Sequence, residues 1–190
     1  MTHKDLANFF FELGQLKLVE HEGWRLIGIN HPETVSAHSL RAAQIGFVLA
    51  HLENYSNPAE VAAMLVFHDM AECRTGDVHR VASRYVKMND EAAAKDQMKS
   101  LGNIGKEIKK LWDQVERKNT QAGIIAKDAD YLEMAVAARE YIEQGHAFAQ
   151  DWINNISKTL KTKAAKEMLD ELCKTNPNDW WQGLKKFSRG

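Results

Sequence analysis

Asn57-Pro58-Ala59-Glu60-Val61-Ala62-Ala63-Met64-Leu65-Val66-Phe67-His68-Asp69 is the stretch whose reading decides the fold. Pro58 stands where a helix tolerates proline, in its first turn, and Asn57 before it is a suitable cap. Val61, Met64, Leu65, Phe67 and His68 follow at helical spacing, and 62–67 is apolar on every side. A helix without a polar face is a buried one. This segment is therefore expected to form a central helix, ending near Thr75-Gly76. The ionisable pair His68-Asp69 at such a place is costly unless it is paired or holds a cation.

The flanking sequence repeats the helical period. Leu6, Phe9, Phe10, Leu13, Leu16 and Val19 form one apolar stripe. Val35 to about Leu52 forms a second, with Leu40, Ala43, Ile45, Phe47, Val48 and Leu52 as its apolar set. Val81 to Lys99 and Ile104 to Arg117 are more polar and are expected as peripheral helices. Thr120 to Gln144 is a long helix with Ile124, Ile125, Ala129, Leu132, Ala135, Val136 and Ala138 inward, and Gly145 stops it. A helix from Thr162 to Cys173 and a short one at Asp179-Trp180-Trp181 close the chain. Strand-like alternation persists nowhere, so the predicted class is all-α, a helical bundle. Lys158 to Lys166 is expected as a solvated helix face.

The chain of 190 residues suits one domain, 1–190. A formal net charge of -1 argues against a nucleic-acid polymer as partner. Cys73 and Cys173 are too few and too far apart for a disulfide framework, which fits free thiols in a reducing compartment. The N-terminus has no signal-peptide core, and no apolar run approaches the roughly 18 residues of a bilayer span. The expectation is a cytoplasmic protein without a membrane partner.

Three helices carry groups that do not suit an apolar core. His38 lies in Pro32-Glu33-Thr34-Val35-Ser36-Ala37-His38-Ser39, His68-Asp69 ends the central helix, and Asp130 lies in Lys127-Asp128-Ala129-Asp130. Two imidazoles and two carboxylates from converging helices are a suitable set for one divalent ion. Spacing alone leaves a second reading open, in which the histidines are ordinary core or surface residues and the aspartates cap or pair locally. Glu72 shares a helix face with Asp69, three residues on. It is either a carboxylate aimed at a metal-bound water or one more surface acid. Asp77, in Thr75-Gly76-Asp77-Val78, reads by itself as a turn residue.

Taken in order, Gly23-Trp24, the stretch from Pro32 to Ser39, His68-Asp69-Met70-Ala71-Glu72-Cys73, Thr75-Gly76-Asp77 and Ala129-Asp130 resemble the HD-domain metal-dependent phosphohydrolases, in their small 5'-deoxynucleotidase branch. The resemblance runs from about Leu6 to Gly145. It implies a helical bundle with a metal site in the core between helices, and His38, His68, Asp69 and Asp130 as the ligands. It also implies Glu72 as the carboxylate that positions or deprotonates the attacking water, and Asp77 beside the sugar and the leaving oxygen. Trp24 would line the pocket, and Arg25, Arg80, Arg84 or Lys127 would meet phosphate. Bacterial members carry an arginine where this chain has Gly23, the human member has one at His21, and an acid often precedes the first histidine where this chain has Ala37.

The implied reaction is metal-dependent hydrolysis of deoxyribonucleoside 5'-monophosphates, with a small-molecule nucleotide as partner and a homodimer as assembly. The donor set suits Mn, Co, Fe, Ni or Zn better than Mg. Two other readings remain open at this level. One is an HD phosphohydrolase acting on nucleoside di- or triphosphates or cyclic nucleotides. The other is a non-catalytic, metal-stabilised nucleotide-binding module.

Overall fold

The computed structural model describes residues 1–184, and among these the chain is all helical apart from one isolated bridge between Glu20 and Thr34. The helices are α1 (His3–Leu13), α2 (Val35–Leu52), α3 (Pro58–Phe67), α4 (Glu72–Thr75), α5 (Asp90–Met98), α6 (Gly102–Arg117), α7 (Gln121–Glu143), α8 (Gln150–Ser157) and α9 (Lys163–Leu172). Short 3-10 turns join several of them. No helix among the described residues is long and apolar enough to cross a membrane.

The hub is α2, α3 and α7. Val61, Met64 and Leu65 of α3 have no exposed surface, and Ile125, Ala126 and Ala129 of α7 are equally covered. Each large buried side chain of this kind contributes about 1.5–3 kcal/mol of burial free energy. On α2 the buried face is small: Ala42, Ala43, Gly46, Leu49 and Ala50. A Cβ at Gly46 would lie 2.2 Å from Leu65 Cδ1 and 3.2 Å from Val61 Cγ1. The two helices meet through missing side-chain volume, which brings His38 of α2 close to the end of α3.

This corrects the expected face of α2 in part: Ala43 is buried and Ile45 packs against the core, as expected. The helix has the predicted bounds, but Leu40, Phe47, Val48 and Leu52 are 44–61% exposed. Small residues, together with Val35 and Leu49, mark the side that packs. The same correction applies to Phe10, which is 65% exposed on α1 while its neighbour Phe9 is buried.

The central helix also stops earlier than predicted. α3 ends at Phe67, and a tight turn follows before α4, with Met70 N–H donating to Phe67 O and Glu72 N–H to Asp69 O. Asn57 occupies the cap position but its side chain makes no capping bond. The Val81–Lys99 segment is helical only as a 3-10 turn at Ala82–Arg84 and as α5. α6 and α7 lie where predicted, and Thr120 caps α7 by accepting from Gly123 N–H at 3.0 Å.

α8 was not predicted. The lysine-rich stretch 158–166 is not one helix: it begins just after α8, crosses a loop and enters α9. That loop is fixed by buried Asp128, which accepts from the N–H groups of Lys161 and Thr162 and from the Thr162 hydroxyl at 2.6–3.1 Å. Asp179–Trp181 is a 3-10 turn, and Trp180 is 77% exposed.

Candidate metal centre and substrate cavity

His38 leaves the first turn of α2, which Thr34 caps through Ala37 N–H. His68 and Asp69 occupy the turn after α3, and Asp130 faces them from α7. His38 Nε2 and His68 Nε2 lie 3.3 Å apart. Asp130 Oδ1 is 3.1 Å from the first and 3.7 Å from the second, while Asp69 Oδ2 is 3.6 Å and 3.0 Å away respectively. Each carboxylate thus reaches both imidazoles.

The other ring nitrogens fix the tautomers. His68 Nδ1 lies 2.8 Å from the Leu65 carbonyl oxygen, which can only accept. His38 Nδ1 is bonded to the Glu133 carboxylate. Both Nδ1 atoms therefore carry protons, and two Nε2 lone pairs face one another between two carboxylates. A divalent cation is the group this donor set fits: it satisfies four converging lone-pair donors that otherwise need extra protons. In protein alone that need is visible. Burial pushes the His68 imidazole down, but Asp69 and Asp130 carry it up to about 10. Burial likewise opposes ionisation of Asp69, yet His68 beside it holds its carboxyl down at about 2.

Glu133 was missed in the sequence. It has no exposed surface and lies one turn beyond Asp130 on α7, so one helix supplies both Asp130 and the support of His38. Arg41 secures it, donating from Nε at 2.7 Å and reaching Glu140 from its NH1 at 2.9 Å. The i, i+3 spacing of Asp130 and Glu133 was the available signal. Glu133→Gln is expected to weaken metal affinity by about 10- to 100-fold, as loss of such ligand support usually does. A chelator competition titration measures this, and unchanged affinity would remove Glu133 from the site.

A cavity of about 840 Å³ opens from this cluster. Glu72 lines it, and its Oε2 is buried without a hydrogen-bond partner. Burial, with Asp69 and Asp77 nearby, pushes this carboxyl up to about 9 in the protein alone. Asp77 also lines the cavity and accepts from Glu22 N–H at 2.7 Å. It follows Gly76, whose φ of 72° turns the chain after α4. Asp77 therefore tethers the segment Glu22–Ile27 that carries Trp24.

Trp24 lies at the cavity wall but is only 1% exposed, stacked on Trp152 at 4.9 Å and 27°. A Cβ at Gly23 would lie 3.7 Å from Trp152 Cζ2, an ordinary van der Waals contact.

Lys127 lines the cavity and pairs with Asp130 Oδ2 at 2.7 Å. Arg80 lies on the cavity wall as well. Arg25 does not: it pairs with Glu20 and Glu22 and donates to Asn30 O at 3.0 Å, outside the cavity lining. Arg84 is also outside it. His21, unassigned in the sequence, lines the cavity with its ring 4.5 Å from that of His38. Burial, and then His38, push its imidazole below the ordinary histidine range.

The sequence matches the HD domain over residues 13–173. It is 30% identical over 164 residues to the 5'-deoxynucleotidase HDDC2 of Xenopus laevis, covering 83% of this chain and 81% of that protein. It is 27% identical to a 5'-deoxynucleotidase of Erwinia tasmaniensis, covering 85% of this chain and 87% of that one. A solved structure of a coding region from Archaeoglobus fulgidus shares 29% identity at a TM-score of 0.65, over 94% of this chain and 99% of that chain. The chain belongs to the HD-domain family, as an HD-domain phosphohydrolase.

Proposed function

We propose that the protein hydrolyses deoxyribonucleoside 5'-monophosphates to deoxynucleoside and phosphate, with one divalent transition metal held by His38, His68, Asp69 and Asp130. The observation that carries the reading is the unpartnered Glu72 oxygen in a cavity beside four converging donors. The relatives named 5'-deoxynucleotidase support the substrate class.

The metal, when bound, supplies Lewis acidity to the phosphoryl oxygens and lowers the pKa of water. The side chains do the rest. Glu72 takes the proton of the attacking water as its oxygen bonds to phosphorus. The bond from phosphorus to O5' breaks, and the proton ends on that leaving oxygen. Asp77 sits beside the sugar and the leaving oxygen. Lys127 and Arg80 hold negative charge on the phosphoryl group, where positioning and electrostatics dominate the barrier. Trp24 backs the cavity wall. Arg25, bound to Glu20 and Glu22, has its place in holding the Trp24 segment rather than in touching phosphate.

A homodimer and a cytoplasmic location belong to the same proposal. The exposed apolar side of α2, with Leu40, Phe47, Val48 and Leu52, supports assembly. The test is phosphate release from metal-stripped protein resupplied with Mn, Co or Mg, over ribo- and deoxynucleoside mono-, di- and triphosphates and cyclic nucleotides. Metal-dependent release from deoxymonophosphates is expected. Turnover confined to polyphosphates or cyclic nucleotides would replace the substrate assignment. Tight nucleotide binding without turnover would make the protein a binding module.

A further inference from the structure

We propose that α8 is the wall that reads the nucleobase: Trp152 stacks on the base and the Asn155 amide hydrogen-bonds its edge. The inference rests on the nucleotide reading above and adds the residues that recognise the part of the substrate remote from phosphorus.

The cavity is chemically divided. One part of its lining is His38, Asp69, Glu72 and Asp130, which would meet a phosphoryl group through the bound cation. α8 and the loop after it form another part of its lining, with Asp151, Trp152, Asn155, Ile156, Lys158 and Thr159. These positions fall on adjoining stripes of one helix face, Trp152 with Ile156 and Asp151 with Asn155, each pair four residues apart. One stripe offers flat apolar surface and the other offers polar atoms, which is the composition a nucleobase demands: a π-face and a donor-acceptor edge.

Trp152 is the aromatic group that α8 offers for this. Trp24 is 1% exposed and lies against Trp152 at 4.9 Å, so its ring is committed to packing. Trp152 is half-buried, held by its stack on Trp24, and lines the cavity. A ring already fixed by packing loses little freedom on stacking, and base–aromatic stacking tolerates every base because each has a π-face. Tyr131, Met134 and Leu26 continue the apolar lining beside it.

Asn155 supplies direction. Its neighbour Asn154 accepts a bond from Gln150 Nε2 at 3.1 Å, whereas the Asn155 amide makes no side-chain hydrogen bond among the described residues. An amide carries both a donor and an acceptor and pairs with the edge of a base in two contacts at once. Stacking acts on every base alike, so Trp152 sets affinity and Asn155 sets preference among bases.

The test uses metal-loaded protein carrying Glu72→Gln, so that ligands are bound without being consumed. Equilibrium dialysis compares dAMP, dCMP and deoxyribose 5-phosphate, which lacks a base. The base is expected to add at least tenfold in affinity. Trp152→Ala should remove most of that gain and leave deoxyribose 5-phosphate binding unchanged, and Trp152→Phe should restore it. Asn155→Ala should change the ratio of dAMP to dCMP affinity at least threefold. Equal affinity for nucleotide and sugar phosphate overturns the proposal. So does an equal loss for both ligands in Trp152→Ala, the pattern of a merely structural role, or an unchanged base ratio in Asn155→Ala. Base-dependent binding in a protein that turns over no deoxymonophosphate would leave the α8 wall standing and remove the nucleotidase reading instead.

Discussion

Asp69→Ala is expected to lose metal and turnover together, with phosphate release down by about 10³-fold or more, because the cation provides the Lewis acid that the reaction depends on. Asp69 Oδ2 lies 3.0 Å from His68 Nε2 and 3.6 Å from His38 Nε2, so it closes one side of the donor set. Without it, two imidazoles and Asp130 remain, and Asp130 is already shared with Lys127 at 2.7 Å. The charge left in the site is then too small to offset desolvation of a divalent ion. A second consequence follows from the same residue. Asp69 is one of the two carboxylates whose repulsion adds to burial in raising Glu72. Its removal lowers the Glu72 pKa, so a change in Glu72 protonation does not explain lost activity. Metal content by elemental analysis, and the rise in melting temperature on adding Mn or Co, report the first effect. Full metal occupancy in Asp69→Ala, or undiminished turnover, would remove Asp69 from the ligand set. Asp69→Asn keeps the volume and separates loss of charge from loss of packing.

Parts of this architecture are legible in one sequence for identifiable reasons. The bounds of α2 and α7 follow from local signals: Thr34 and Thr120 are capping residues that act as such in the structure. The four donor residues could be located as polar groups stranded in apolar surroundings, and the structure brings each carboxylate within 3.7 Å of both imidazoles. What failed was whatever depends on a partner far away in the chain. The buried side of α2 is Ala42, Ala43 and Gly46, and only the approach of Leu65 and Val61 makes small residues the packed ones. The break between α3 and α4 lacks proline or glycine at His68–Ala71, so no local residue type announces it. α8 is eight residues long, and its apolar set, Trp152, Ile153 and Ile156, spans too few turns to stand out in sequence. Its Trp152 matters because Trp24, over a hundred residues earlier, stacks on it. Arg25 is the reverse case. It is adjacent to the aromatic wall in sequence, yet Glu20 and Glu22 turn it away.

Glu72→Gln is expected to separate stability from activity. Turnover should fall by about 10²- to 10⁴-fold, the usual scale for losing a positioned general base. Metal content should be unchanged, since Glu72 is not one of the four donors. At the same time the metal-free variant should be more stable than the parent protein at neutral and alkaline pH. The sign follows from the direction of the shift. In the metal-free fold the carboxyl is raised from 4.5 to about 9, first by burial and then by Asp69 and Asp77. The folded state therefore holds a proton that the unfolded chain releases near 4.5, and stability declines as pH rises between these two values. Glutamine does not titrate and escapes that decline. The difference should be near zero at pH 4, grow through pH 7, and level off above pH 9, at about 1–3 kcal/mol after allowance for solvent relaxation. Bound metal should shrink it, because a divalent charge offsets the repulsion from Asp69 and Asp77. Thermal melts of metal-free parent and variant at pH 5, 7 and 9 measure the pH dependence, and phosphate release measures the loss. A stability difference that ignores pH would mean that Glu72 is ordinarily solvated, and retained turnover would mean that another group takes the proton. If both parts hold, the carboxylate is kept at a cost to the fold because the reaction needs it where burial and two neighbouring acids resist its charge.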